Sequence, residues 1–453
     1  MLRLVWFLMT ATVQPEVNEL IRGANLIRIP DQMDVPITPR VRHLIDTACF
    51  RRLASVRQLG FVSLVYPGAV HNRFEHSLGV YRSTLLFLRQ LMLESRFQDA
   101  MDSATLDGIV VASLLHDIAH YPFCHPIEDL GLESIDEHET LAATYLESEP
   151  VSSLLRNEWE CDSAVVQRLL KKTPTNQAEQ IGASLLSGPI DPDKLDYLFR
   201  DSLHSGVPYG RNFDAPRLIS SLCLNRDATG LAITTKGRTA AELMVFARYV
   251  MFSEVYWHHT VRSATAMFQR LFFSLHSDLN MARIYSSTES SFASELQRVS
   301  VSEPGWLELY ISLFGNERKL YKQWGQFSCH SDSDVFSRLA RRPFAWLANC
   351  SKILANSLAE QLGETVMECE VLIDAPPVGL EVQFEIDVFD SKREQFMSLG
   401  TLSPVVRALA ERQFDDFVKQ VRIFVHPRIM EKIKAKKLVL APLLNAAATQ
   451  LDG

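Results

Sequence analysis

The strongest constraint on this chain is the crowding of its histidines into one stretch. Of the 13 histidines, six lie between positions 71 and 138, most of them in two short strings. The strings are His71-Asn72-Arg73-Phe74-Glu75-His76-Ser77-Leu78-Gly79 and His116-Asp117-Ile118-Ala119-His120-Tyr121-Pro122-Phe123-Cys124-His125. Imidazole and carboxylate together suit a divalent ion such as Fe, Mn, Zn, Ni or Mg. The pattern therefore favours a fold in which several elements meet at a metal centre.

His116 and Asp117 close an apolar run, residues 110–115, that is typical of a buried helix. A charged pair at the buried end of a helix is costly unless it is paired or bound to metal. His76 stands near the start of a second predicted helix and Asp193 near the start of a third, so three helices can bring four ligands to one ion. Positions then remain for water and a phosphate oxygen. The alternative is that these are ordinary hydrogen-bonded core residues, because an isolated His-Asp pair is common by chance.

The composition indicates a globular protein. Of 453 residues, 47% are hydrophobic and 22% are charged, which excludes disorder, collagen and coiled coil for the chain as a whole. The net charge of −8 argues against nucleic acid or an anionic membrane as the main partner, but it leaves room for a local basic pocket. Seven scattered cysteines without a Cys-x-x-Cys pair fit a reducing compartment. No apolar run approaches the ~18–20 residues of a membrane span, so we expect a cytoplasmic protein.

The first eight residues combine one arginine with a short apolar run and weakly resemble a signal peptide. The alternatives are an upstream start codon, with Met9 as the true start, or a strand. The thin positive region favours these alternatives.

Hydrophobic periodicity predicts a mainly α protein in three parts. Residues 1–40 are typical of an irregular segment with short strands. Residues 41–275 are expected to form a helical catalytic core, with helices near 77–93, 106–116, 165–170 and 240–255. Within it, Asp191-Pro192 predicts the start of a helix and Gly206 its end. Residues 276–453 are expected to form a smaller α+β lobe, with helices at 331–358 and 404–421 and strands at 366–373, 382–388 and 421–426.

The histidine strings resemble those of the HD-domain metal-dependent phosphohydrolases, and most closely the deoxynucleoside triphosphate triphosphohydrolases among them. The resemblance runs from about residue 46 to 262, with a weaker echo at 404–427, and Val-His-Asn-Arg-Phe-Glu-His-Ser-Leu-Gly-Val is its most specific string. It implies an HD-domain core and a metal quartet of His76, His116, Asp117 and Asp193. Asp191 is instead expected to cap a helix. The SAM domain that some relatives carry is not expected here.

The resemblance also implies the reaction. A dNTP would be hydrolysed to deoxynucleoside and inorganic triphosphate by metal-activated water that attacks the α-phosphorus. One divalent ion is expected at the quartet, and additional Mg could bridge the triphosphate.

Further residues match positions at which the family binds substrate. Arg73, His125, His138, Lys194 and Arg248 match phosphate-binding positions, and Gln58, Leu59, Asp201 and Tyr256 match sugar-binding positions. Tyr197 lies between Asp193 and Asp201 on the same helical face, so it is expected in the site too. The alternatives are a surface salt bridge to Glu75 for Arg73, and ordinary packing for Leu59 and Tyr256.

The leaving group of this reaction is an alkoxide, so a positioned acid would accelerate its departure by roughly 10²–10⁴-fold. His125 is the preferred acid, with Glu128 expected to orient its ring. His120 is expected to contact phosphate or to support the metal ligands, including Asp117, and its alternative is a structural histidine.

The sequence departs from the family in several places. Ala54 stands where a regulatory nucleotide site has Arg, although Asp46, Asp214 and Arg217 match other regulatory positions, so an activating nucleotide stays open. Tyr121 replaces the usual Gly and is expected to reshape the pocket. Cys124 replaces the usual Ser. By resemblance we expect a dimer or tetramer, with residues 41–59 and 404–427 as contacts.

Two rival functions remain open at this stage. The chain could act on another phosphoester, such as a nucleoside monophosphate or a cyclic nucleotide. Alternatively, it could be a catalytically silent protein that binds nucleic acid or serves as a scaffold. The intact ligand set and the acidic balance argue against the silent protein.

Overall fold

The computed structural model describes residues 14–376, 385–409 and 418–452, and helices predominate in them, which confirms the mainly α prediction. The helices are Pro15–Arg22, Pro39–Ile45, Ala48–Arg52, Arg73–Leu91, Ser95–Ala100, Ser103–Leu115, Cys124–Glu128, His138–Glu147, Val151–Asn157, Ser163–Leu170, Gln177–Ser187, Pro192–Ser205, Ala215–Ser220, Arg238–Met251, His259–Leu275, Met281–Tyr285, Glu289–Ser300, Pro304–Phe314, Ser333–Leu339, Phe344–Leu362, Leu399–Leu402, Pro404–Ala408, Pro427–Lys436 and Leu440–Asp452. The strands are Leu26–Ile29, Met33–Pro36, Leu222–Leu224, Leu231–Thr234, Lys322–Phe327, Val371–Asp374, Asp387–Asp390, Gln395–Ser398 and Val421–Val425.

The N-terminal segment contains the expected short strands as an antiparallel hairpin, in which Leu26 lies opposite Pro36 and Ile29 opposite Met33. Helix Pro15–Arg22 precedes the hairpin and was not predicted. It begins with proline at its first position and ends at Gly23, whose φ of 67° is the left-handed conformation that glycine favours. The interpretations of residues 1–8 lie outside the described residues.

Three long helices form the centre of the core. Helix Arg73–Leu91 packs against both Ser103–Leu115 and Pro192–Ser205. Helix Ser103–Leu115 is buried on every face from its third residue onward, because its sequence is apolar all round. Side-chain caps fix all three starts: Asn72, Asp102 and Asp191 each accept a hydrogen bond from a backbone N–H three residues on. The predicted stop at Gly206 is confirmed by its left-handed φ of 70°.

The C-terminal part differs from the prediction in detail. The helix predicted at 331–358 is two helices, Ser333–Leu339 and Phe344–Leu362, because Pro343 disfavours helical backbone at the residue before it. The strand predicted at 366–373 is shorter, Val371–Asp374, and follows a turn of 3₁₀ helix. The strand predicted at 421–426 is confirmed as Val421–Val425, the centre of a three-stranded antiparallel sheet.

Two predicted elements fall partly outside the described residues. The predicted strand at 382–388 is described from residue 385 on, and the strand there is Asp387–Asp390. The helix predicted at 404–421 is described as Pro404–Ala408, and residues 410–417 lie outside.

A four-stranded sheet brings part of the C-terminal sequence back to the core. Strand Leu231–Thr234 pairs in parallel with Asp387–Asp390, which in turn pairs with Gln395–Ser398. The buried side chains of Ile386 and Leu399 belong to the same apolar cluster as the core helices. Residues 385–409 therefore pack with the core, although the domain division proposed from the sequence assigns them to the C-terminal lobe.

A second apolar cluster joins helices His259–Leu275, Glu289–Ser300 and Pro304–Phe314 to the loop and short helix of residues 121–130. The histidine-rich loop thus lies where the first and second clusters meet. No helix in the described ranges is long and apolar enough to cross a bilayer. All seven cysteines have free thiols.

Candidate metal centre and cleft

The predicted metal quartet comes together where the three core helices meet. His76 lies in the first turn of helix Arg73–Leu91, and Asp193 in the first turn of Pro192–Ser205. His116 and Asp117 directly follow helix Ser103–Leu115. His76 and Asp117 are buried, whereas the Asp193 side chain is 38% exposed and faces the open side of the site.

The ligand atoms of the quartet face one another. His76 Nε2 and His116 Nε2 are 3.3 Å apart. Asp193 Oδ1 lies 3.0 Å from His76 Nε2 and 4.0 Å from His116 Nε2. Asp117 places one oxygen 3.5 Å from His116 Nε2 and the other 4.0 Å from His76 Nε2. Ligand atoms of His76, His116 and Asp117 thus all lie within 4.8 Å of one another, and Asp193 approaches both imidazole nitrogens.

The other ring nitrogens decide what these atoms can do. His116 Nδ1 lies 2.9 Å from the carbonyl oxygen of Ser113, which can only accept, so Nδ1 is the donor. His76 Nδ1 donates to Asp196 Oδ2 at 2.8 Å. Each Nε2 then presents a lone pair, and two lone pairs at 3.3 Å repel unless a cation lies between them. The donor set fits a divalent ion.

A proton on His76 Nε2 is one such cation, and a divalent ion that binds the quartet would displace it. Burial opposes charge on His76, yet hydrogen bonds to Asp193 and Asp196 raise its pKa to about 10. Burial likewise opposes charge on Asp117, but Arg73 and the nearby histidines hold the pKa of its carboxyl well below the usual range. Arg73 Nη1 donates to Asp117 Oδ2 at 2.8 Å, and both side chains are about 5% exposed. The alternative of a surface salt bridge between Arg73 and Glu75 is therefore wrong.

Beside the quartet lies a group of four residues, His120, His125, Glu128 and His138, which we term the histidine cluster. The rings of His120 and His138 are 3.9 Å apart, centroid to centroid, and those of His120 and His125 are 5.1 Å apart. His120 is buried, and burial together with the charge of Arg73 holds its pKa well below the usual value. Its Nδ1 is 3.1 Å from Asp117 Oδ1 but not aligned for a hydrogen bond.

Glu128 is held by His138 more closely than by His125. It accepts hydrogen bonds from the backbone N–H of His138 at 2.7 Å and from its Nδ1 at 2.8 Å. His125 Nδ1 lies 3.7 Å away, beyond hydrogen-bond length, and the His125 side chain is 61% exposed. The sequence predicts that Glu128 orients His125, whereas in the structure its hydrogen-bond partner is His138. Burial opposes charge on Glu128, but both histidines hold its pKa well below the usual range.

A cleft of about 420 Å³ opens beside these groups. The residues predicted from sequence that line it are Gln58, Leu59, Arg73, His125, Tyr197, Asp201 and Tyr256. At one end, Tyr256 Oη donates to Asp201 Oδ2 at 2.6 Å. Within the described residues, Gln58 Oε1 and Arg73 Nε are buried without a hydrogen-bond partner. The cleft therefore has polar atoms available for a ligand.

Lys194 and Arg248 line a narrow cavity together with Ile190 and Leu399. Arg248 also lies close enough to the cleft residues Tyr197 and Tyr256 to interact electrostatically with their hydroxyls. Lys194 Nζ donates to Asp191 Oδ2 and to the carbonyl oxygen of Gly188. Asp191 also accepts from the backbone N–H of Lys194 at 2.7 Å, so it caps the helix as predicted. The guanidinium of Arg248 lies 5.6 Å from the ring centre of Phe252.

Tyr121 does not shape the cleft as expected. It is fully buried in the second apolar cluster and packs against Tyr285, with ring centroids 5.2 Å apart. The burial follows from its surroundings, since aromatic and aliphatic side chains fill that side of the loop. Cys124, in contrast, lines the cleft.

The residues that match regulatory positions are at the surface. Asp46 and Ala54 are exposed. Asp214 caps helix Ala215–Ser220 through a bond from the N–H of Arg217, and Arg217 Nε donates to the carbonyl oxygen of Lys236.

Sequence reasoning missed several residues that complete the site. Phe123, Trp257 and Arg262 line the cleft, and Phe123 has the unusual φ of 58° at the start of helix Cys124–Glu128. Asp196, which holds His76, also received no role. Its position three residues after Asp193, close to one helical turn, was the available indication.

Comparison with known proteins agrees with this geometry. Residues 73–184 match the HD domain, and residues 213–441 match the HD associated region. An uncharacterized protein of Methanocaldococcus jannaschii is 32% identical over 247 residues, 54% of this chain and 48% of that protein. YwfO of Bacillus subtilis is 33% identical over 230 residues, 50% of each chain. The deoxynucleoside triphosphate triphosphohydrolase SAMHD1 of Gallus gallus is 31% identical over 239 residues, 45% of this chain and 38% of that enzyme.

The chain spans half or less of the length of these curated relatives. Two solved structures have the same fold over nearly the whole chain. A hypothetical protein from Aquifex aeolicus has a TM-score of 0.69 at 24% identity and covers 91% of this chain and 100% of its own. A phosphohydrolase from Bacteroides thetaiotaomicron has a TM-score of 0.68 at 22% identity and covers 89% and 100%.

Proposed function

The chain belongs to the HD-domain phosphohydrolases that carry an HD associated region, and from that premise we propose that it hydrolyses deoxynucleoside triphosphates to deoxynucleosides and inorganic triphosphate. The observation that carries the proposal is the cleft itself. It is lined by Arg73, which contacts the metal ligand Asp117, and by the Tyr256–Asp201 pair. One nucleotide could therefore present its phosphate to the quartet and its sugar to the other end.

The quartet of His76, His116, Asp117 and Asp193 would hold one divalent ion. Such an ion supplies Lewis acidity toward a phosphate oxygen and lowers the pKa of a water molecule. Arg73 would place its unpartnered Nε–H on a phosphate oxygen while its Nη1 keeps Asp117 in position. The two carboxylates of the quartet and Arg73 would together position the α-phosphate.

His125 would protonate the departing 5′-oxygen of the sugar. It lines the cleft and is the most exposed member of the histidine cluster, so it can reach a substrate. Catalytic hydrogen bonds are often long before substrate binds, so its 3.7 Å separation from Glu128 is compatible with that role. His120 and His138, packed ring to ring, would line the phosphate side.

The sugar end is proposed to select deoxyribose. Asp201 and Gln58 carry oxygens that could accept a bond from the 3′-hydroxyl, and Gln58 Oε1 has no partner among the described residues. Tyr256 and Leu59 would close the space beside the 2′-carbon. A ribose hydroxyl there would be buried without a partner, which is unfavourable.

A second candidate is hydrolysis of a phosphoester with fewer phosphates, such as a nucleoside monophosphate or a cyclic nucleotide. The observation that favours it is the position of Lys194, whose ammonium is bound to Asp191 and the Gly188 carbonyl oxygen. A triphosphate that used Lys194 would require its ammonium to leave these partners and turn toward the cleft.

The wider setting is also a proposal. The enzyme would act in the cytoplasm as a homo-oligomer, with dNTP as its partner and with additional Mg bridging the triphosphate. Activation by a nucleotide would rest on Asp46, Asp214 and Arg217 in spite of Ala54.

Product analysis by ion-exchange chromatography tests the proposal. Purified protein with Mn²⁺, Mg²⁺ or Fe²⁺ is incubated with each dNTP, with all four together, and with GTP added. Deoxynucleoside plus intact triphosphate, absent in Asp193→Asn, is the expected result. Turnover of monophosphates or cyclic nucleotides alone would instead select the second candidate, and no turnover of any phosphoester would reject both.

A further inference from the structure

A network of buried side-chain contacts, which we term the buried network, begins behind the metal quartet. Asp196, which accepts from His76 Nδ1, also accepts two hydrogen bonds from Arg200, at 2.8 Å from Nε and 2.7 Å from Nη2. The third nitrogen of Arg200, Nη1, donates to Glu75 Oε1. Arg200 therefore uses its whole guanidinium to join the residue that orients a metal ligand to a second carboxylate.

The buried network continues from Glu75 to the far end of the cleft. Glu75 Oε1 also accepts from His204 Nε2 at 2.9 Å. The ring of His204 stacks on that of His71, with centroids 4.4 Å apart and planes at 14°. His71 Nε2 in turn donates to Asp201 Oδ1 at 2.8 Å, and the other oxygen of Asp201 holds Tyr256.

Burial removes the charged groups of the buried network from water, which is unfavourable. The side chains of Arg200 and His71 are fully buried, and those of Glu75 and His204 are less than 20% exposed. A buried ionic network of this kind often stabilises a fold no better than well-packed apolar residues would. Stability alone therefore does not account for the buried network.

Gly79 shows how closely the side chains of the buried network are packed. A Cβ at this position would lie 1.8 Å from Asp196 Oδ1 and 2.4 Å from Arg200 Nη2. A glycine inside helix Arg73–Leu91 is less favourable than alanine, so its presence is explained by the close approach of helix Pro192–Ser205. The backbone makes room for the Asp196–Arg200 pair.

We propose that Arg200, Glu75, His204 and His71 are positioning residues that hold the metal end and the sugar end of the cleft as one rigid unit. The metal end is fixed through Asp196 and His76, and the sugar end through Asp201 and Tyr256. The claim about the sugar end rests on the proposed function, whereas the claim about the metal end does not. A substitution in the middle of the buried network should therefore alter both the affinity for the metal and the discrimination between dNTP and NTP.

The test uses two variants of the full chain, Arg200→Lys and Glu75→Gln, with Glu179→Gln as a matched control. Glu179 is also a buried glutamate that pairs with an arginine through both nitrogens, at 2.9 and 2.6 Å from Arg168, and it does not line the cleft. It measures what the loss of such a pair does to the fold alone. Mn²⁺ affinity, melting temperature and the ratio of kcat/KM for dNTP over NTP are measured for each.

Arg200→Lys is expected to raise the Mn²⁺ dissociation constant about tenfold, because lysine cannot hold both oxygens of Asp196. Glu75→Gln is expected to lower the dNTP-over-NTP ratio about three- to tenfold, and to weaken Mn²⁺ binding less than Arg200→Lys does. Glu179→Gln should lower the melting temperature but leave both other quantities within about twofold of wild type.

A lower melting temperature in all three variants, with Mn²⁺ affinity and the dNTP-over-NTP ratio unchanged, would overturn the proposal. The buried network would then be purely structural. If Arg200→Lys does not fold, Glu75→Gln carries the test, because its side chain keeps an oxygen that can accept. If wild type hydrolyses no dNTP, the proposed function fails. The Mn²⁺ measurement still decides whether the buried network positions the metal ligands.

Discussion

The metal quartet and the histidine cluster contain the same kinds of side chain, only a few ångströms apart, yet they are held very differently. His76 and His116 lie at helix ends, and each has its second nitrogen fixed by a separate partner. The histidine cluster is spread over a loop, the five-residue helix Cys124–Glu128 and the start of helix His138–Glu147. Its members Glu128 and His138 hold mainly each other. The comparison teaches that the quartet is built before any substrate arrives, whereas the cluster can still adjust to one.

Removal of a quartet carboxylate should have the largest effect. Asp193→Asn is expected to lower turnover at least about 10³-fold with the fold intact, because its side chain is partly exposed and only the ligand charge is lost. Asp117→Asn should abolish turnover too, but it also leaves the buried charge of Arg73 without its partner, at about 3–5 kcal/mol. Turnover and chemical denaturation of both variants measure this. Wild-type turnover in Asp193→Asn would remove it from the metal ligands.

Removal of the proposed acid should have the next largest effect. His125→Asn is expected to lower kcat about 10²-fold, with little change in KM, since the acid acts on the leaving group. Bound metal per chain should stay at the wild-type level, because the quartet does not depend on His125. A leaving group that needs no proton provides the control, and its rate should change little. An equal loss for both leaving groups would contradict the role of acid.

The local patterns explain why the quartet could be predicted from sequence. Its residues lie at ends of helices whose starts and apolar faces are written in short strings, such as Asn72 before Arg73 and Asp191 before Pro192. The pairing of Glu128 with His138, the turn of Lys194 toward Gly188 and the burial of Tyr121 could not be predicted. Each depends on neighbours that are distant in sequence or on a loop whose path no periodicity fixes.

The same limit applied to the fold. The long core helices followed from their periodicity, and the strand Val421–Val425 from its apolar run. The return of residues 385–409 to the core depends on a parallel pairing between strands more than 150 residues apart, which local sequence does not encode.

A change at the sugar end gives a smaller effect and a reference for both regions. Tyr256→Phe removes the hydrogen bond to Asp201 Oδ2 but keeps the ring. We expect stability to fall by about 1 kcal/mol and the dNTP-over-NTP ratio of kcat/KM to fall severalfold. Metal content and the rate for the control leaving group should not change. A ratio equal to wild type would leave Tyr256 as a packing residue.

The smallest effect concerns pH and tests how the histidine cluster is held. The pKa of Glu128 in the folded protein is below its ordinary value of 4.5, so the carboxylate stabilises the fold above that pH, and this contribution is lost as the pH falls. Glu128→Gln removes the contribution. Its melting temperature should therefore fall less than that of wild type between about pH 6 and pH 3.5. Parallel melting curves for the two proteins would show that Glu128 is not held by the histidines.

The quartet should form a complete metal centre without the histidine cluster, and equilibrium titration with Mn²⁺ is the sharpest experiment for this. Wild type, His125→Asn and Asp193→Asn are each titrated, and bound ion is counted per chain. We expect one ion with equal affinity for wild type and His125→Asn, and affinity at least about 100-fold weaker for Asp193→Asn. Loss of the ion in His125→Asn, with affinity retained in Asp193→Asn, would instead place the metal in the histidine cluster.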